Sequence, residues 1–186
     1  MQKRIFVLLI IIITLILIYL KFFEKEKIVE EKISKNDETY SSNILENVEY
    51  ISKDVKGNEY LIKAKRGEID FKNSNIIFLE EVNAIIKLTN SEKIYIKSNF
   101  GKYNTNNFDT IFSKNVIVEY LENNITGEYL DFSLVKNRMI VSNNVIYTNL
   151  ENVLKADVVE INIDTKDTKI FMYEENKKVN VKSKNY

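Results

Sequence analysis

Phe78-Leu-Glu-Glu-Val82-Asn-Ala84, followed by Ile96-Lys-Ser98-Asn-Phe-Gly-Lys-Tyr103, is the unit from which the rest of this chain is built. In the first half an apolar residue stands four before a valine, a polar or charged residue just before it, and an apolar residue two after. The same pattern returns in Ile44-Leu-Glu-Asn-Val48-Glu-Tyr50, Phe112-Ser-Lys-Asn-Val116-Ile-Val118 and Val141-Ser-Asn-Asn-Val145-Ile-Tyr147. In the second half an aliphatic residue stands two before a small residue, and an apolar residue five after it. Its copies are Ile62-Lys-Ala64-Lys-Arg-Gly-Glu-Ile69, Ile125-Thr-Gly127-Glu-Tyr-Leu-Asp-Phe132 and Leu154-Lys-Ala156-Asp-Val-Val-Glu-Ile161.

The valines 48, 82, 116, 145 and 179 are spaced by 34, 34, 29 and 34 residues, and the small residues 64, 98, 127 and 156 by 34, 29 and 29. The fifth valine belongs to a fainter copy, because the position four before it is Glu175. Two marks that keep step over four modules identify a repeat, which has to be recognised before any fold is named.

Each half reads as a strand. Val82, Ala84, Ile86 and Leu88 alternate with Asn83, Ile85 and Lys87, and Val116, Val118 and Tyr120 alternate with Ile117 and Glu119, the period of two that a pleated strand imposes. Polar clusters rich in Asn and Asp, such as residues 72–75, 104–107, 122–124 and 164–167, supply turns, and no proline interrupts a strand. The expectation is an all-β domain over residues 43–186: a sandwich, a jelly roll or a short solenoid of strand pairs. Ile85, Ile117, Ile146 and Val159 add apolar character to the second face, which suggests either a partner on that face or inward bulges of a thick sandwich.

Before this domain, residues 5–20 are apolar apart from Thr14, and Phe22-Phe23 extend the run past Lys21. Nineteen helical residues rise about 28 Å, which matches a hydrocarbon core of roughly 30 Å. Residues 1–23 are therefore expected to form a transmembrane anchor, with Ile5, Phe6, Leu9, Ile12, Leu15, Leu17 and Leu20 among its apolar residues. A cleaved signal would have a shorter core and a small-residue cleavage site, and Leu20-Lys-Phe-Phe-Glu-Lys-Glu-Lys contains none. Flanking basic residues nearly balance across the span. Because a long carboxy-terminal domain is translocated largely regardless of charge, the expected orientation is amino terminus inside. The charged residues 24–42 read as a linker.

The composition excludes much chemistry. With His 0 and Cys 0, the usual imidazole base, thiolate nucleophile and zinc ligands are missing. Four scattered glycines build no phosphate loop. Lys+Arg 27 against Asp+Glu 27 leaves no basic stripe for nucleic acid. No catalytic residues, cofactors or metals are expected.

An amino-terminal span, a linker and a repeat of Asn/Glu-Val-x-apolar followed by Ile-x-(Ala/Gly/Ser) resemble the LptC family, whose outer domain is an OstA-like β-jelly roll. The best-matching stretches are Tyr60-Leu-Ile-Lys-Ala-Lys-Arg-Gly67 and Ile125-Thr-Gly127-Glu-Tyr-Leu130. The resemblance implies a single-pass inner-membrane protein with a periplasmic domain. It would dock on an ABC transporter with LptF/LptG-like subunits, accept lipopolysaccharide, and pass it to an LptA-like soluble bridge protein of the same fold.

By alternation, the interior lining expected to bind lipid comprises Val48, Tyr50, Ile62, Val82, Ala84 and Ile86, then Ile96, Val116, Val118, Tyr120, Val145 and Tyr147. Gly127 is added as a point of close approach. The same residues would serve equally as ordinary core. Val179 and Val181, alternating with polar residues between lysines, are the expected partner edge. A surface-tethered structural or adhesive repeat, or a scaffold subunit without lipid binding, remains the alternative, and lipid uptake by the delipidated domain separates them.

Overall fold

The computed structural model describes residues 43–53, 56–89 and 92–184, so the expected anchor and linker in residues 1–42 lie outside the described residues. Among the described residues no helix is long and apolar enough to cross a membrane.

Eight long strands follow one another: β1 (Ile44–Lys53), β2 (Glu59–Ile69), β3 (Ile76–Lys87), β4 (Ile94–Asn104), β5 (Thr110–Tyr120), β6 (Asn123–Ser133), β7 (Arg138–Thr148) and β8 (Asn152–Asn162). Two short ones, β9 (Thr168–Phe171) and β10 (Asn180–Ser183), complete the described chain. All belong to one antiparallel sheet in the order β1-β2-β3-β4-β5-β6-β7-β8-β10, with β9 also on β8. The roll is thus one continuous antiparallel sheet folded on itself.

The repeat explains the folding. Just before each repeated valine the backbone enters the left-handed region: at Asn47 (φ 52), Glu81 (φ 53), Lys114 and Asn115 (φ 61 and 53), and Asn143 and Asn144 (φ 65 and 56). Most side chains resist that region, whereas Asn tolerates it because its short polar group hydrogen-bonds locally. These residues interrupt the pairing at one level in neighbouring strands. The ladder passes from Glu46↔Arg66 to Val48↔Ala64, from Glu80↔Phe100 to Val82↔Ser98, and shifts register between Ser113 and Val116 and between Ser142 and Val145. Each small residue of the repeat faces a valine: Ala64 faces Val48 and Val82, Ser98 faces Val82, Gly127 faces Val116, and Ala156 faces Val145. A crease of αL residues, valines and small partners therefore crosses the sheet.

At the crease the inward phase of most strands inverts. In β3 the buried positions are Ile77 and Leu79, then Val82, Ala84 and Ile86; in β4 they are Ile94, Ile96 and Ser98, then Gly101 and Tyr103. The crease divides the sheet into a wing containing Leu79 and a wing containing Val82. Their inner faces meet where Tyr50 packs on Tyr103 with centroids 5.1 Å apart and Tyr60 on Phe132 at 5.8 Å. One core cluster unites both.

The inversion corrects two sequence readings. Val159, expected on the second face, is fully buried in the core, because β8 runs inward at Ala156 and then at Val159. The apolar residue four before the valine is also not one structural position. In β5 and β7, which carry an extra residue at the crease, Phe112 and Val141 are buried, but in β3 Phe78 is 45% exposed and Leu79, three before Val82, points inward. Ile146, 37% exposed, does lie on the outer face, as expected.

Because the crease depends on αL residues, Asn144→Val is expected to destabilise the domain by about 1–2 kcal/mol, read as a lower denaturation midpoint with an unchanged slope. An unchanged midpoint would show that the kink is not held by this residue.

Candidate functional site

Inside the roll, Val48, Tyr50, Ile62, Val82, Ala84, Ile86, Ile96, Val116, Val118 and Val145 are buried, Gly127 is buried, and Tyr120 and Tyr147 are half-buried. All thirteen expected lining residues thus lie on the Val82 wing. Most are close-packed: Tyr50 packs at a tilt on Tyr103, and Val48 sits against Gly67. At Gly127 strand β7 approaches closely: a Cβ there would meet Val141 Cγ1 at 2.7 Å and the Ser142 carbonyl oxygen at 3.3 Å.

Between the wings a partly open cavity of about 200 Å³ remains. Its walls from the Val82 wing are Ile94, Val118, Tyr120, Asn123, Ile125 and Tyr147, and from the other wing Met139, Ile161, Ile163, Lys166 and Thr168. Three of the expected lining residues, Val118, Tyr120 and Tyr147, are brought together here. Ile94 and Ile125 follow from the same alternation as Ile96 and Gly127, and Ile161 is the apolar mark five after Ala156. Met139 and Ile163 come from the facing wing, and nothing in the sequence pairs that wing with Val118.

The polar groups of the cavity are fixed by one another. Tyr147 donates its hydroxyl to Asn123 Oδ1 at 2.6 Å, and Asn123 Nδ2 donates to the Tyr120 carbonyl at 3.2 Å. From the β8–β9 turn Lys166 places its ammonium 5.7 Å from the Tyr120 ring centre, a cation–π approach. That turn is also tied across the roll, because Lys56 of the β1–β2 loop donates to Asp164 Oδ2 at 2.8 Å. The arrangement can hold an apolar chain among aliphatic and aromatic walls with a polar rim. Among the described residues no cluster of His, Cys, Asp and Glu is arranged to hold a metal ion.

The family model for lipopolysaccharide-assembly, LptC-related proteins matches residues 7–172. The chain belongs to that family. Membership makes it a lipopolysaccharide-transport protein and not an enzyme, with lipopolysaccharide and the Lpt machinery as its setting. No curated protein sequence gives a significant match. Among solved structures it is similar to LptH, the LptA-homologous periplasmic component of the lipopolysaccharide transport device from Pseudomonas aeruginosa, with a TM-score of 0.51 at 9% identity. The likeness covers 68% of this chain and 95% of LptH. At that identity it speaks for the fold, which is the jelly roll expected of an LptC-related chain.

The two ends of the LptC-related sheet are open among the described residues. At one end β1 pairs only with β2, and at the other β9 and β10 share the outer side of β8. β10 pairs Asn180–Ser183 with the start of β8, and β9 covers its later half. The expected edge residue Val181 lies on β10 and is 59% exposed, whereas Val179 falls just before the strand.

Proposed function

We propose that this protein is the membrane-tethered carrier step of lipopolysaccharide transport. Residues 1–23 would anchor it in the inner membrane and residues 24–42 would link the anchor to a periplasmic roll. The roll would take lipid from an ABC transporter with LptF/LptG-like subunits and pass it to an LptA-like bridge protein. The observation that carries the reading is the apolar cavity between the wings, in a chain of the LptC-related family.

Its volume, about 200 Å³, is below the roughly 300–1,000 Å³ of sites for drug-sized ligands. A lipid with several acyl chains would therefore enter by parting the wings. They share no backbone ladder with each other apart from the strands that run through the crease. Each acyl chain shielded inside would contribute about 25 cal/mol per Å² of apolar surface removed from water, which offsets the packing between the wings that their separation disrupts.

A photo-crosslinking residue at Val118 or Ala84, both inward, is expected to capture lipopolysaccharide when the transporter is energised, while one at Lys87 or Glu119 captures little. Equal labelling at the two sets rejects the interior path. No labelling at either favours the scaffold reading.

A further inference from the structure

The cavity is not symmetric in chemistry: its floor is aliphatic, and one cation stands at its rim. We propose that the rim at Lys166 is a head-group subsite, so that the cavity takes an anionic amphiphile end-on, with an alkyl chain between Ile125 and Met139 and a phosphoryl group on the Lys166 ammonium. This rests on the lipid-carrier reading and adds to it the position and charge of the bound head.

The charge of Lys166 is available. Of the two carboxylates of its own turn, Asp164 is paired with Lys56 at 2.8 Å, and Asp167 accepts from the Thr165 hydroxyl of the same turn at 2.7 Å. Lys169 is opposite Glu160 on the neighbouring strand. Among the described residues Lys166 forms no ion pair within 4.0 Å, and its ammonium stands over the Tyr120 ring at 5.7 Å.

Its position is held as well. Lys166 is in the left-handed region at φ 65, and its N–H donates to the Asn162 carbonyl at 2.9 Å. The turn is further braced by Asn162 Oδ1, which accepts from the N–H groups of Asp164 and Thr165. The backbone that carries the exposed Lys166 side chain is therefore fixed in a shaped turn. Thr168 and Tyr147 are also in the cavity wall, but their hydroxyls already donate to the Lys166 carbonyl at 3.3 Å and to Asn123 Oδ1 at 2.6 Å, so the ammonium is the donor left for the head group. An uncharged amphiphile would gain the floor and forgo the ammonium, and a free phosphate would do the reverse.

The chain supplies its own reporters. Met139 lies in the cavity wall, and Met172, beyond β9, does not. The full chain in zwitterionic nanodiscs, labelled at its methionine methyls, would be titrated with octyl phosphate, octanol and inorganic phosphate. Octyl phosphate is expected to shift Met139 saturably and leave Met172 in place. Lys166→Gln should weaken that binding about tenfold, the scale of one lost charge-assisted hydrogen bond. Lys166→Arg should restore it, and octanol should bind the two variants and the wild type alike.

Equal affinity of wild type and Lys166→Gln for octyl phosphate overturns the subsite, as does an equal loss for octanol. Displacement of octyl phosphate by inorganic phosphate at equal concentration would assign a free-anion site and overturn the amphiphile. If lipopolysaccharide still crosslinks at Val118 in Lys166→Gln as in the wild type, the head-group inference fails while the carrier reading stands. If neither alkyl ligand moves Met139 and no crosslink forms, both fail.

Discussion

Gly127→Leu is expected to destabilise the domain by about 3 kcal/mol or more, the upper range for overpacking a filled core. A Cβ at this position would stand 2.7 Å from Val141 Cγ1, and Val141 has no exposed surface into which to withdraw. The next nearest atoms are the carbonyl oxygens of Ser142 and Asn143, at 3.3 and 3.5 Å, which belong to the β7 segment bent by two consecutive αL residues. Neither wall can yield without moving the crease. Since folded domains are stable by only about 5–15 kcal/mol in total, the loss should appear as a greatly lowered denaturation midpoint. The effect is on stability itself and should be the same with or without lipid. Gly67→Ala and Gly101→Ala are graded controls. Their added Cβ atoms would meet Val48 and Val82 side chains at 3.3 and 3.2 Å, closer than ordinary contact but well short of the clash at Gly127. A Gly127→Leu domain that unfolds at the wild-type midpoint would show that β6 and β7 do not approach this closely.

That prediction also shows what the sequence could reveal. The repeat was legible because the crease uses a valine and a small partner in each module, preceded by an αL residue that is Asn in three modules and Glu81 in β3. The inversion of phase at the crease was not, since alternation is a local signal and carries across a bulge unchanged. Val159 was misplaced for that reason. The interior face of the Val82 wing could be read residue by residue, from Val48 to Tyr147, because it runs from the crease to one side of it and no αL residue interrupts its alternation. Which part of that face stays unfilled depends on how far the opposite wing stands away. This is a long-range property, set by contacts such as Tyr50 with Tyr103 and Lys56 with Asp164. Lys166 therefore looked like one more turn lysine.

The second large effect is expected at the carboxy-terminal edge, where removing residues 179–186 should abolish capture of the bridge protein while the domain stays folded. An open edge presents unpaired N–H and C=O groups, and a partner strand added to it gains a ladder of main-chain hydrogen bonds. Deletion costs little inside the roll, because β10 is four exposed residues and contributes nothing to the core cluster. A substitution separates the two sides of the strand. The Lys184 N–H donates to the Glu151 carbonyl at 2.7 Å, and donors alternate direction along an antiparallel edge strand, so the Val181 and Ser183 N–H groups point away from β8. Val181→Pro removes an outward donor from an edge strand, where proline is tolerated, and should weaken capture while preserving the β10–β8 pairing. Lys182→Pro removes an inward donor and should loosen β10 itself. Pull-down of an LptA-like partner, with denaturation midpoints measured in parallel, reads both. If the truncated chain and Val181→Pro hold the partner as tightly as the intact chain, the transfer does not pass through this edge. The free side of β9, and that of β1 at the opposite end of the sheet, then become the remaining edges for strand addition.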